Sequence, residues 1–130
     1  YAEVDVKANK QSVRALQISN GTINNRIQLA YNGNDFTPAV VSGGVVQASF
    51  TVPFVAGLNK IAIAYANNDV VAYQNGVLVG TNTSASIPPC NQIEIGSSIG
   101  TSAFLNDRIR AAALYTTRLT DAQLAELTRL

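Results

Sequence analysis

Histidine, tryptophan and methionine are missing from this chain of 130 residues, and cysteine occurs once, at Cys90. Each gap closes a class of chemistry. Without histidine there is no ordinary zinc centre, no Ser-His-Asp triad and no Cys-His pair. One cysteine allows neither an intrachain disulfide nor a thiolate metal cluster. Beside Pro89, Cys90 reads as a small apolar filler rather than a reactive thiol. Charge is scarce too: 13% of residues are charged and the net charge is +1. The basic residues are scattered, with only Arg108 and Arg110 close enough to share a strand face, so no nucleic-acid partner is expected. No apolar run approaches the roughly 18 residues of a membrane helix, and no membrane insertion is expected. The chain starts at Tyr1 without a charged-then-apolar leader. It is expected to be the C-terminal part of a longer chain.

What is present is alternation. With 47% apolar residues, the chain suffices for one domain over residues 1–130 around one core. Ala2, Val4, Val6 and Ala8 share one face, against Tyr1, Glu3, Asp5 and Lys7 on the other. Leu16 and Ile18 alternate with Gln17 and Ser19, and Ile27, Leu29 and Tyr31 with Arg26, Gln28 and Ala30. Val46, Ala48, Phe50 and Val52 mark a further strand, as do Ile61, Ile63 and Tyr65 with Ala62 and Ala64 behind them. A period of two predicts strands whose faces meet different surroundings.

Turn residues punctuate these runs at Asn20-Gly21, Asn32-Gly33, Gly43-Gly44 and Asn75-Gly76. Asn75-Gly76 between two apolar stretches predicts a type I′ hairpin, and Asn67-Asn68-Asp69 the turn before it, giving a three-stranded meander. Gln92-Ile93-Glu94-Ile95 is a short strand, and residues 108–115 a closing one. A single helix follows. Thr120 and Gln123 form a capping-box pattern, Leu119 and Leu124 a hydrophobic staple, and Leu124 and Leu127 share a face. Too short to stand alone, the helix is expected to dock over an open edge or end of a sheet. The fold class is therefore all-β: an antiparallel two-sheet sandwich with one short C-terminal helix.

Three pieces carry a resemblance. Asn59-Lys60-Ile61-Ala62-Ile63-Ala64-Tyr65 runs into Asp69 and Tyr73-Gln74-Asn75-Gly76-Val77-Leu78-Val79-Gly80. Ile93-Glu94-Ile95-Gly96 is the second. The third is Leu105-Asn106-Asp107-Arg108-Ile109, then Leu114-Tyr115-Thr116-Thr117-Arg118-Leu119-Thr120-Asp121-Ala122. Together they resemble the concanavalin A-like, laminin-G-like jelly-roll domains of bacteriophage tail fibres and other virion appendages. Asp107 departs from the glycine often found in the third piece. The resemblance implies a jelly roll with function in rim loops or on one sheet, and glycan or cell-surface binding. It also implies a virion or extracellular setting, a host surface glycan or receptor as partner, and a homotrimer as the assembly.

Candidate sites follow from residue chemistry. Glu3 and Asp5 share a strand face, as two glycosidase carboxylates would, but the further acid of a Glu-x-Asp-x-x-Glu pattern is missing. A retaining pair also needs about 5 Å between acid and nucleophile. A solvated outer face is the preferred reading, no enzyme is expected, and a glycoside hydrolase-like domain is the least favoured alternative. Calcium is the one cofactor the pattern admits, through hard oxygen ligands at Asn67, Asn68 and Asp69, or at Asn32, Asn34 and Asp35. Both clusters are equally good turn sequences. For sugar, the expected site combines Asn24, Asn25 and Arg26 with Asn32, Asn34, Asp35 and Phe36. Phe36 and Tyr1 are the aromatics expected to be exposed, and Tyr31, Tyr65, Tyr73 and Tyr115 those expected to pack inward. The rival to a receptor-binding module is a ligand-free domain that caps or trimerises a virion fibre.

Overall fold

The computed structural model describes residues 1–8, 10–99 and 102–130. Among them the chain runs through β1 (Ala2–Val6), β2 (Lys10–Ser19), β3 (Arg26–Gly33), β4 (Asp35–Phe36), β5 (Ala39–Ser42), β6 (Val45–Ser49) and β7 (Val52–Pro53). It continues with β8 (Gly57–Ala66), β9 (Asp69–Gln74), β10 (Val77–Asn82), β11 (Gln92–Ile95), β12 (Arg108–Ala112) and α1 (Asp121–Thr128). A five-stranded sheet has the order β10-β9-β8-β1-β12. A seven-stranded sheet runs β11-β2-β3-β4-β7, with β5 joined to β3 and β6. All pairings between named strands are antiparallel.

The alternating pattern builds the core. Ala2, Val4 and Val6 are buried, and pack with Leu16, Leu29, Tyr31, Phe36 and Ile61 between the sheets. Ile18, Ile27, Val40, Ala48 and Val70 continue the same layer. Ala8, set with them by pattern, is exposed beyond the end of β1. The expected meander is present: β8 pairs β9 and β9 pairs β10. Its turns use Asn68 at φ 59°, then Asn75 at φ 52° and Gly76 at φ 81°, the positive pair a type I′ turn requires.

Two features were hidden by the sequence. Residues 35–42 form a strand interrupted at Pro38, which has no N–H to donate. The Thr37 N–H still reaches Ala30 O at 2.7 Å, and the Pro38 carbonyl accepts from Phe50 N at 3.1 Å. β4 therefore pairs the far end of β3 and β5 its near end. The closing strand is shorter than 108–115: β12 ends at Ala112, and Ala113 exchanges backbone hydrogen bonds with Tyr1 (3.0 Å each).

The helix lies on a sheet face, not on an edge or end. Its Leu124 packs with Ala62, Ala64, Val71 and Tyr73 on the outer side of β8 and β9, joined by Leu119, Ala125 and Tyr1. Ala62 and Ala64 are small enough to let the helix approach. The capping box forms as expected. Thr128, not Leu127, shares full burial with Leu124: its hydroxyl donates to Leu124 O (2.8 Å) and accepts from Gly76 N (3.1 Å), tying the helix to the hairpin turn. Arg118 binds Asp69, with Nη2 2.8 Å from Oδ1.

Candidate functional site

Because β2 and β3 send Leu16, Ile18, Ile27 and Leu29 inward, their other side chains must point away from the partner sheet. On most sandwiches such a face is solvated. Here only its rim is: Gln17 and Ser19 are 0% exposed and Gln28 and Ala30 are also buried, while Arg14, Arg26 and Glu94 are half-buried. Cross-strand register explains why. Glu94 stands opposite Gln17 and Gln17 opposite Gln28, while Ser19 stands opposite Arg26 and Arg14 opposite Ala30. The outward side chains cover one another and form a continuous polar floor.

Hydrogen bonds fix that floor. Ser19 Oγ donates to Glu94 Oε1 at 2.9 Å, and Gln17 Nε2 to Glu94 Oε2 at 3.4 Å. Ser98 Oγ donates to Gln17 Oε1 at 3.3 Å. Arg26 Nε donates to Gln28 Oε1 at 2.9 Å, and its Nη1 donates to the Ile23 carbonyl. At the other side, Arg14 lies beside Phe104 in a parallel bridge. Leu105 enters the core, which turns the preceding Phe104 outward, where it is 49% exposed. Amides, a carboxylate, two guanidinium groups and an exposed ring thus share one face on rigid strands. Such a surface can donate and accept hydrogen bonds and stack on an apolar sugar face.

The residues expected to bind sugar do not form one site. Asn24, Asn25 and Arg26 lie at the start of β3, and Asn32, Asn34 and Asp35 at its far end. About seven residues of strand, on the order of 23 Å, separate them. Arg26 belongs to the polar face, with Asn24 and Asn25 beside it in the loop whose backbone and side-chain oxygens accept from Gly44 N and Gly43 N. Asn32 Oδ1 accepts from Ser12 Oγ, and the Asn34 carbonyl from Phe54 N. Phe36 corrects the expectation of exposure: it is 0% exposed, its ring 5.4 Å from that of Tyr31 in the core. Pro38 had concealed the strand that turns Phe36 inward. Tyr31 packs between the sheets as expected; Tyr73 is buried instead on the outer side of the five-stranded sheet, under the helix, and Tyr115 is 44% exposed because the strand ends before it.

In the cluster of Asn67, Asn68 and Asp69, the groups have other partners. Asp69 faces the Arg118 guanidinium, which balances its charge, and Asn67 Oδ1 accepts from Ile87 N at 3.0 Å. Asn68 takes the left-handed turn position. Among the described residues no group of three or more His, Cys, Asp or Glu side chains comes together. Glu3 and Asp5 point out of the five-stranded sheet, Glu3 accepting from Tyr1 OH (3.3 Å) and Asp5 paired with Arg110 (3.3 Å). Cys90 packs against the core with Tyr65 and Ile87, and burial, then Glu94, pushes its thiol pKa up, away from reactivity.

A second feature is apolar. Where β11 and β12 form the sheet margins, Ile93, Ile95 and Leu114 are exposed. A cleft of about 330 Å³ opens there, with Leu16, Ile18, Tyr65 and Leu114 in its walls. Sequence reasoning missed Gln17, Gln28, Glu94, Arg14 and Phe104. Their period-two spacing was visible; the register that gathers them was not. No family model matches this chain, and no curated protein matches it.

Proposed function

We propose that this chain is a non-enzymatic receptor-binding module, a concanavalin A-like jelly roll of a phage tail fibre or similar virion appendage that contacts host surface glycan. The observation that carries the reading is the outward face of the seven-stranded sheet, where half-buried Arg14, Arg26 and Glu94 stand around a floor of Gln17 and Gln28, with the exposed ring of Phe104 beside Arg14. Buried, mutually bonded amides keep their geometry without ligand, which lowers the ordering cost of binding. One ring and a few amides make a weak site. Copies side by side on a fibre, a homotrimer for example, supply avidity.

On that face Glu94 and Asp35 are separated by β2, β3 and four residues of register, on the order of 15–20 Å, against about 5 Å in a retaining glycosidase pair, which supports binding over hydrolysis. Glu3 and Asp5 occupy the opposite side of the sandwich, so Glu3→Gln is expected to leave glycan binding intact. The test is a glycan array with the whole chain and with Phe104→Ala and Gln28→Ala. Saturable binding weakened roughly tenfold by either substitution is expected, from the loss of a stacking or hydrogen-bond partner. No saturable signal for any glycan overturns the reading.

The exposed Ile93, Ile95 and Leu114 favour a second reading, a cap or trimerisation domain without ligand. Light scattering separates it: a stable trimer silent on the array supports the scaffold.

A further inference from the structure

The two guanidinium groups on the polar face are not explained by a neutral sugar. Resting on the glycan-binding reading above, we infer that Arg14 and Arg26 form an oxyanion subsite, so that the ligand is an acidic sugar bearing a carboxylate or a sulfate ester.

Arg26, Gln28 and Ala30 are successive outward positions of β3, and Arg14 stands opposite Ala30. The two arginine Cα atoms are therefore about 13 Å apart along the strands, a span that two long side chains can close around one oxyanion; Arg26 Nε already lies on Gln28, between them. Neither guanidinium is paired with a carboxylate among the described residues. The carboxylates paired with cations among the described residues are Asp107 with Lys10, Asp5 with Arg110, Asp69 and Asp121 with Arg118, and Glu126 with Arg129. Glu94, on the same face, is held by Ser19 and Gln17.

Arg14 Nε is buried without an acceptor, and its Nη1 reaches only the Val13 carbonyl, at 3.4 Å. A buried donor left unmade is costly, and a second uncompensated cation beside it adds to that cost. Burial lowers the pKa of both guanidinium groups, and Arg26 lowers that of Arg14 further. An anion between them would reverse each of these penalties. The planar fork of arginine matches the paired oxygens of a carboxylate or sulfate. Phe104, beside Arg14, lies where the ring of the same sugar could stack.

The experiment uses the whole chain, with its arginine Nε–H signals followed by NMR at constant ionic strength. It is titrated with methyl glucuronide, methyl glucoside and sodium sulfate. Saturable movement of the Arg14 and Arg26 signals with glucuronide, and not with glucoside, is expected. Sulfate alone moving them keeps the oxyanion subsite and assigns it to sulfated sugars. Arg26→Gln should weaken glucuronide or sulfate about tenfold, and Arg26→Lys by less, with an unchanged melting curve. If glucoside moves the Gln17 and Gln28 amides while both arginine signals stay still with every acid, the subsite is overturned and the neutral glycan face stands. Still arginine signals with no response to any sugar overturn both.

Discussion

Single side chains in this sandwich carry separable costs. The Tyr31 hydroxyl is buried without a partner, and burial drives its pKa upward. Tyr31→Phe removes that unpaired group while keeping the ring contacts with Phe36 and Phe54. Stability is expected to stay level or rise by up to about 1 kcal/mol in urea unfolding. Gly80 is a glycine for lack of room: an added Cβ would meet Phe50 Cδ1 at 2.3 Å. Gly80→Ala is expected to lose about 1–3 kcal/mol by the same measurement, from overpacking. Asp107 is nearly buried, which alone would raise its pKa. Hydrogen bonds from Lys10 (3.0 Å) and the Lys7 N–H (3.1 Å) outweigh that and hold it below the ordinary value of 3.8. Because the folded pKa is depressed, the contribution is full above the unfolded pKa and is lost as pH falls through the folded one. Asp107→Asn should cost about 1–2 kcal/mol at pH 7 and flatten the acid limb of a stability–pH curve.

Among elements, the helix is the clearest case of a structure held by its dock. Eight residues cannot persist alone. The Thr120 capping box starts α1, Leu124 anchors it over Ala62 and Ala64, and Thr128 ties it to Gly76. Thr120→Ala is expected to cost about 1 kcal/mol and Leu124→Ala about 2–5 kcal/mol. In the second variant, hydrogen exchange should quicken across α1 and β9 well before β2 and β3 respond. The cap and staple were legible because they are local: four residues specify them. The docking face was not, since nothing in Ala62 or Ala64 says which side of β8 a helix will cover. The strand over residues 35–42 was illegible for another local reason, Pro38, and Phe36 was misplaced with it.

At the scale of the whole molecule, period-two alternation and the Asn-Gly turns made the sandwich and its meander readable. Short-range physics sets both. The polar face was only half readable. Gln17, Ser19, Arg26 and Gln28 visibly alternate with core residues, which assigns them a side but not neighbours. Glu94 arrives through β11, some 75 residues after Ser19, and Phe104 through an isolated bridge to Arg14. Such register depends on the bulge between Arg14 and Leu16, which no pattern announces. The central claim, that this outward face of the seven-stranded sheet is the recognition surface, has one direct test. Backbone and side-chain amide shifts of the labelled chain should be mapped with the tightest-binding array glycan. Changes gathered at Gln17, Gln28, Glu94 and Phe104 are predicted. Changes confined to residues 32–35 or to the outer side of β1 and β8, with the polar face silent, would contradict it.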